Sequence, residues 1–165
     1  MHLQLEPADG PKAFADESFC EAASAGFYVL AAAVFEPGRH DEVRAVLRDL
    51  RGHRRGGKLH WNDMDAQQRH NAAKKLGELD GFHVVAVGSP VPQRRQERAG
   101  AMCLKALVFE LAGFGVREIV MEGRTAQLNL RDVRTVAGAR YELGMPFRIW
   151  HVSGAVEPLL WATGC

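Results

Sequence analysis

Acidic residues follow two predicted β-strands at the points where the strands end. A short apolar run leads into Asp16 and Glu17, and residues 117–121 lead into Glu122. Parallel neighbours in an α/β sheet place their carboxyl ends at one edge, where ligands bind. If the two strands are neighbours, Asp16 and Glu122 converge there. Glu157, which precedes a predicted final helix, points to the same edge and completes a three-carboxylate site.

Carboxylates gathered at close range repel one another unless a proton or a cation joins them. Mg²⁺ or Mn²⁺ suits such a site because both ions prefer hard oxygen ligands and keep several waters. Two ions about 3.5–4 Å apart stabilise the attacking and leaving oxygens of phosphodiester cleavage. The pattern therefore predicts Asp16, Glu122 and Glu157 as catalytic residues, and the same three with Glu17 as metal ligands.

Each acid also has an ordinary structural explanation. Asp16 or Ser18 can cap backbone amides in a turn after the strand. Glu122 can be a solvated strand end, and Glu157 a first-turn acid that the helix dipole favours. The sequence leaves both interpretations open.

Basic residues form local groups although the formal net charge is only +1. Cations beside an acidic metal site would contact the phosphates of a nucleic acid. Surface solvation explains each group equally well. One group is Arg51, His53, Arg54, Arg55 and Lys58, a second is Arg94, Arg95 and Arg98, and Arg124 follows Glu122 closely.

His60 and Trp61 follow the first basic group. His60 can assist proton transfer, and Trp61 can stack on a base. Alternatively, Leu59 and Trp61 anchor a loop in the core while Lys58 and His60 face water. The predicted substrate-binding residues are Arg124, Lys58, His60, Trp61, Arg94 and Arg98.

The predicted element order is β-β-α-α-β-α-β-α-β-α. An initial hairpin followed by alternating strands and helices indicates an α/β protein with a mixed five-stranded sheet flanked by helices. The chain contains no internal repeat or linker that would divide it. We therefore expect a single domain over residues 1–165 with a short last helix.

Three segments resemble a ribonuclease H-like family that carries a domain-of-unknown-function label, number thirty-eight hundred. They are Phe14 to Ser18 with its Asp-Glu-Ser end, the apolar strand Tyr28 to Phe35, and Leu159 to Ala162. The resemblance implies a ribonuclease H-like fold and a metal-dependent nuclease, with Asp16 as first ligand and Glu122 as the acid after the fourth strand. The family's closing Ala-Asp pair falls on Ala162 and Thr163, so Thr163 replaces an acid.

Other function classes lack their motifs. The chain has no GxSxG, GxxxxGK[ST], GxGxxG or HExxH sequence. Its three cysteines are far apart and form no CxxC pair. With no signal pattern and no long apolar run, we expect a cytoplasmic protein without a membrane partner.

The leading hypothesis is a metal-dependent phosphodiester hydrolase, a nuclease of the ribonuclease H-like type, acting on RNA or DNA. The alternative is a non-catalytic nucleic-acid-binding or assembly protein on the same fold with a degenerate metal site. In that alternative, apolar surface at Leu160 and Trp161 would be covered by a second copy in a homodimer. A weaker possibility is a hydrolase of small phosphate esters.

Overall fold

The computed structural model describes residues 10–23, 25–53 and 57–163 of the 165-residue chain. Arg54 and Arg55 of the first basic group lie outside these residues. Five strands and four α-helices alternate as the sequence predicts after the initial hairpin. The strands are β1 (Lys12–Cys20), β2 (Gly26–Phe35), β3 (Gly81–Val91), β4 (Glu118–Glu122) and β5 (Arg148–Val152). The helices are α1 (His40–Arg51), α2 (Ala66–Gly77), α3 (Gln96–Gly113) and α4 (Ala126–Leu143), with 3₁₀ segments Pro37–Arg39, Trp61–Asp63 and Pro158–Thr163.

All five strands join one sheet in the order β3-β2-β1-β4-β5. The β1–β2 and β2–β3 pairs are antiparallel, whereas β1–β4 and β4–β5 are parallel. The predicted mixed five-stranded α/β sheet is therefore confirmed. Because β1 and β4 are parallel neighbours, their carboxyl ends lie at the same edge of the sheet.

Both faces of the sheet are covered, which explains why β1 is apolar on both sides. Successive side chains of a strand point to opposite faces. Ala13 and Ala15 accordingly face one hydrophobic cluster, and Phe14 faces another. We call the side of Phe14 the front face and the side of Ala13 and Ala15 the rear face.

Helices α3 and α4 cover the rear face. Their apolar residues Leu104, Leu107 and Val136 pack against the sheet there. The front face is covered by α1, by part of α2 and by the 3₁₀ segment Pro158–Thr163. The two layers leave the carboxyl ends of β1 and β4 accessible on the front.

Strand β3 extends beyond the length that its sequence predicts. Gly88, Ser89 and Pro90 are residue types that predict the end of a strand, yet pairing with β2 continues to Val91. Proline is tolerated here because β3 is an edge strand, where a missing ladder donor costs little. In the part of the chain that the structure describes, no helix has the length and apolarity needed to cross a membrane.

The predicted final helix is a six-residue 3₁₀ segment, Pro158–Thr163. Leu160 and Trp161 on this segment are only 2% and 5% exposed within a single chain. They pack on the front face instead of forming an open apolar surface. The reason for expecting a homodimer at these two residues is thereby removed.

Candidate active site

Asp16 and Glu122 line one small pocket. Glu122 is the last residue of β4, but β1 continues to Cys20, so the prediction that Asp16 ends its strand was wrong. The β1–β4 register pairs Phe14 with Val120 and Ala15 with Met121, so Asp16 and Glu122 are the next two positions. Alternation puts both side chains on the front face. The pocket has a volume of about 50 Å³, enough for roughly one or two waters or ions. Its lining is Asp16, Lys58, Leu59, His60, Trp61, Asn62, Glu122, Leu160 and Trp161.

The pocket disfavours the charged form of Asp16. Burial raises the pKa of the Asp16 carboxyl above its usual value. The backbone N–H of Glu17 partly offsets this rise in pKa by donating to Asp16 Oδ1 at 2.8 Å. The negative charge of Glu122 raises the pKa further, and the positive charge of Lys58 offsets part of that rise. The pocket thus destabilises the ionised form of Asp16, as expected of a carboxylate placed for binding a cation or a proton.

Lys58 provides the positive charge of the pocket. Its Nζ donates to both carboxylate oxygens of Glu122, at 2.8 and 2.9 Å. Both side chains are about one third exposed, at 32% and 28%. An ammonium group therefore occupies a position beside Glu122 where a metal ion would also be attracted.

Gly154 lets the Glu122 carboxylate approach the loop after β5. A Cβ at this position would lie 2.7 Å from Glu122 Oε1 and 2.9 Å from Cδ. The indole N–H of Trp161 donates to the Gly154 carbonyl oxygen at 2.6 Å. Trp161 thus fixes the backbone against which Glu122 rests. Sequence reasoning missed Gly154, whose signal is the break that Ser153 and Gly154 make after the fifth strand.

His60 and Trp61 stand at the mouth of the same pocket. His60 is exposed, Leu59 beside it is buried, and Trp61 is half-buried. This segment therefore both anchors a loop, through Leu59, and presents an imidazole and an indole beside the carboxylates. Trp61 also lines an adjacent apolar pocket of about 480 Å³.

The structure does not bring Glu157 to this pocket. Both of its oxygens accept hydrogen bonds from Arg44, Nε and Nη2, each at 3.0 Å. Glu157 lines a different groove, of about 440 Å³, together with His40 and Trp150. Thr163, at the position of the family's closing acid, is buried and donates to the Leu160 carbonyl oxygen at 3.0 Å.

The Arg44–Glu157 pair should affect the free energy of unfolding and not the chemistry of the Asp16–Glu122 pocket. Burial alone would raise the pKa of Glu157, but the hydrogen bonds from Arg44 and from the Leu159 N–H lower it by more. The stabilisation is therefore present above the unfolded pKa of about 4.3 and is lost as pH falls through the lower folded value. We expect Glu157→Gln to reduce the free energy of unfolding by about 1–3 kcal/mol at pH 7 and by much less at pH 3.

Denaturant unfolding at the two pH values measures this effect. Glu142→Gln is the matched control, because Glu142 pairs with Lys105 at an exposed site and such pairs contribute at most about 1 kcal/mol. A loss at pH 3 as large as that at pH 7 would contradict the ionic origin of the stabilisation.

Glu17 and Arg124 lie on the rear face, away from the pocket. Glu17 follows Asp16 in β1, so alternation turns its side chain to the opposite side. It accepts a hydrogen bond from the Tyr28 hydroxyl and pairs with Arg124 Nη1 at 3.0 Å. Arg124 Nη2 also contacts both oxygens of Asp132, at 2.8 and 3.0 Å. Neither Tyr28 nor Asp132 was predicted as a partner of these residues.

The remaining predicted residues also lie away from the carboxylates. Arg94 precedes α3 and Arg98 is in its first turn, and both are exposed. Helix α3 covers the rear face, so neither arginine lines the pocket. His151 in β5 faces the rear as well, with Nε2 3.0 Å from Asp132 Oδ2.

The oxygen donors of the pocket fit a magnesium or manganese ion of the kind that keeps most of its waters. Such ions are often held by one or two carboxylates together with substrate phosphates. Asp16 and Glu122 supply that number. Across residues 10–23, 25–53 and 57–163, no three His, Cys, Asp or Glu side chains are grouped to hold a metal ion. The pocket therefore suits a weakly held ion and not a preformed structural metal site.

A larger groove lies elsewhere, between the end of α1 and α2. It measures about 590 Å³ and contains Arg51, Lys74 and Lys75 but none of the predicted site residues. We place the candidate site at the smaller pocket because the carboxylates of Asp16 and Glu122, from two neighbouring strands, both line it.

Comparison with solved structures identifies the fold. The chain is similar to a ribonuclease HII, solved in the structure of the PCNA:RNase HII complex from Archaeoglobus fulgidus. The TM-score is 0.55 at 16% sequence identity, and the match covers 92% of this chain and 66% of that chain. This chain therefore has a ribonuclease H-like fold and spans just under two thirds of the length of that neighbour.

Sequence comparison adds no relative. No protein-family model matches the chain, and no curated protein matches it significantly. Membership of the family of unknown function suggested by the Asp-Glu-Ser motif stays a prediction.

Proposed function

We propose that this ribonuclease H-like chain binds Mg²⁺ or Mn²⁺ at Asp16 and Glu122 and hydrolyses phosphodiester bonds in RNA or DNA. The observation that carries the proposal is the pocket that these two carboxylates share at adjacent positions of two parallel neighbouring strands. Two acids brought together from positions 106 residues apart in sequence (122 − 16) raise each other's energy unless a cation joins them. The fold makes phosphodiester chemistry a natural use of such a pair, although fold alone does not specify function.

The size of the pocket favours a polymeric substrate. A space of about 50 Å³ cannot enclose a nucleotide, since pockets for small organic ligands measure about 300–1,000 Å³. A strand lying across the mouth would present only a phosphate to the carboxylates. His60 and Trp61 at the mouth are positioned to contact the neighbouring nucleotides, the indole by stacking on a base.

Five residues at the site then have separate roles. Asp16 and Glu122 would hold the ion through their carboxylate oxygens, and Gly154 keeps the space that Glu122 needs. With an ion at these carboxylates, Lys58 would be available to contact a substrate phosphate. When bound, Mg²⁺ or Mn²⁺ supplies Lewis-acid charge for the phosphate and for the attacking water. His60 is exposed and close enough to the mouth to exchange protons with a leaving oxygen.

Labelled single- and double-stranded RNA and DNA, incubated with the protein and Mn²⁺, test the proposal. We expect cleavage of at least one of these substrates that chelation of the metal stops. Glu122→Gln should lower the rate about 100-fold or more, in line with the loss of one charge-stabilising group. Glu157→Gln is the matched carboxylate control and should cleave at the wild-type rate. Cleavage that Glu122→Gln leaves unchanged would contradict the assignment.

A non-catalytic nucleic-acid-binding or assembly protein is the second candidate, and one observation favours it. The Lys58 ammonium already bonds both oxygens of Glu122, so it can replace a metal ion permanently. In that case the labelled nucleic acids would bind to the protein without Mn²⁺ and would not be cleaved. Calorimetry of Mn²⁺ binding separates the two candidates without relying on the choice of substrate.

A further inference from the structure

We propose that Arg124 is a positioning residue that ties β1 at Glu17 to the end of β4 behind the carboxylate pocket. It acts as the centre of a rear-face network that we define as Glu17, Tyr28, Arg124, Asp132 and His151. The inference rests on the proposed function, because it assigns this network the task of setting the Asp16–Glu122 geometry.

The β1–β4 register stops one position before the two carboxylates, with Ala15 opposite Met121. Beyond that point β1 continues along β2, where Asp16 pairs with Ala31, and β4 continues along β5, where Glu122 pairs with Val152. Asp16 and Glu122 are therefore the first two positions beyond the β1–β4 register, each paired with a different outer strand.

Arg124 connects β1 with the end of β4 from the rear face. It follows Glu122 by two residues, and its Nη1 lies 3.0 Å from Oε1 of Glu17, the residue after Asp16. The bridge therefore joins the immediate continuation of each carboxylate-bearing strand. Tyr28 of β2 donates to Glu17 as well, so Glu17 is held from two directions.

The guanidinium is itself held in place. Asp132 of α4 accepts from Arg124 Nη2 at 2.8 and 3.0 Å and lies 3.0 Å from His151 Nε2 of β5. The side chains of Asp132 and His151 are only 10% and 12% exposed. The Arg124 backbone N–H also donates to Asn129 Oδ1 at 2.8 Å. A rigid, well-partnered network of this kind transmits position because few of its members can move alone.

The location of the network explains why it is not a phosphate site. Arg124 faces three carboxylates, with Glu97 Oε2 at 4.0 Å in addition to Glu17 and Asp132. An arginine neutralised in this way has little remaining attraction for a phosphate. Groups behind metal ligands typically change metal affinity about 10–100-fold when they are removed.

Mn²⁺ titration by calorimetry tests the proposal in wild type, Arg124→Gln and Arg124→Lys. We expect Arg124→Gln to weaken Mn²⁺ binding about 10-fold or more. Arg124→Lys should give an intermediate loss, since an ammonium can meet Glu17 or Asp132 but cannot hold both in the same planar geometry. Arg44→Gln is the matched control, because it breaks another partly buried arginine–carboxylate pair and should leave Mn²⁺ affinity unchanged.

Hydrogen exchange of the backbone amides, measured without metal, gives a second readout. The Glu17 N–H donates to Asp16 Oδ1, so the protection of this amide from exchange reports on the part of β1 that carries Asp16. Arg124→Gln should speed exchange at Glu17 by about 10-fold, whereas Arg44→Gln should not.

Calorimetry and hydrogen exchange together distinguish a failure of the positioning role from a failure of the proposed function. If wild type binds Mn²⁺ and Arg124→Gln binds it equally well, the positioning role is overturned and the proposed function stands. If wild type binds no Mn²⁺, the proposed function fails, and exchange at Glu17 alone decides whether Arg124 holds the strand ends. Equal exchange in the Arg124→Gln and Arg44→Gln variants would overturn the inference in either case.

Discussion

Asparagine in place of Asp16 should make the protein more stable and at the same time inactive. Burial and the charge of Glu122 raise the folded-state pKa of Asp16, against the lowering effect of the Glu17 N–H. A carboxyl with a raised folded pKa stabilises the fold only below its unfolded pKa, and this contribution is lost as pH rises through the folded value. At pH 7 the ionised Asp16 therefore opposes folding, and an amide of the same shape removes that cost.

Thermal unfolding and Mn²⁺-dependent cleavage measure the two effects together. We expect Asp16→Asn to raise Tm at pH 7 by about 2–4 °C, the shift that about 1 kcal/mol produces in a chain of this size. The gain should vanish near pH 3, where the wild-type carboxyl is protonated. Cleavage should fall about 100-fold or more, because one of two anionic ligands is gone. Such an exchange of stability for activity is common at functional sites.

Asp80→Asn is the matched control for this prediction. The Asp80 side chain is 86% exposed and pairs with Arg39, at 3.4 Å. An exposed pair of this kind contributes little, so neither Tm nor cleavage should change measurably. A lower Tm for Asp16→Asn at pH 7 would mean that the ionised carboxylate is stabilised by contacts other than those described.

The meeting of Asp16 and Glu122 could be predicted because its signal is local. Apolar runs that lead into these two acids identify the strands, although β1 continues past Asp16 to Cys20, and alternation of strands and helices implies parallel neighbours. The same local rule argues against Glu17 as a ligand of that pocket. In any strand that continues through Ser18, consecutive residues face opposite sides, so Asp16 and Glu17 cannot share a pocket.

Long-range side-chain partners had no such signal. Glu157 follows its partner Arg44 by 113 residues, and nothing in the spacing of either indicates that they meet. Lys58 lies between α1 and α2, outside any helix or strand, so its contact with Glu122 depends on how Leu59 and Met64 dock into the core. Residue type predicted a cation near the site, but only tertiary packing determines that it bonds a carboxylate.

Removing the Lys58 ammonium should make the stability of the protein depend on metal. Without it, Glu122 loses both hydrogen bonds, at 2.8 and 2.9 Å, and Asp16 loses the charge that lowers its pKa. We expect Lys58→Gln to lose about 1–3 kcal/mol in metal-free buffer, the usual cost of leaving a partly buried charge unpaired. Its Mn²⁺ affinity should rise about 10-fold, because a competing cation is gone.

Denaturant unfolding with and without Mn²⁺ measures both consequences. Binding to the folded state adds RT ln(1 + [L]/Kd), about 2.7 kcal/mol at an ion concentration of 100 Kd. Mn²⁺ should therefore restore Lys58→Gln to near wild-type stability and stabilise the wild type less. Lys75→Gln is the matched control, since Lys75 pairs with the exposed Asp49, at 3.3 Å, and the response of this variant to Mn²⁺ should equal that of the wild type.

The same experiment decides between an active and a degenerate site. In a nuclease, Lys58 shares its position with the ion and moves to substrate phosphate, so Lys58→Gln should bind Mn²⁺ more tightly yet require more nucleic acid for half-maximal rate. In a protein whose ammonium has replaced the metal, Lys58→Gln is destabilised and Mn²⁺ rescues neither it nor the wild type. Loss of the Lys58–Glu122 pair without any Mn²⁺ rescue would therefore favour the non-catalytic candidate, because the two carboxylates alone would have proved insufficient to hold an ion.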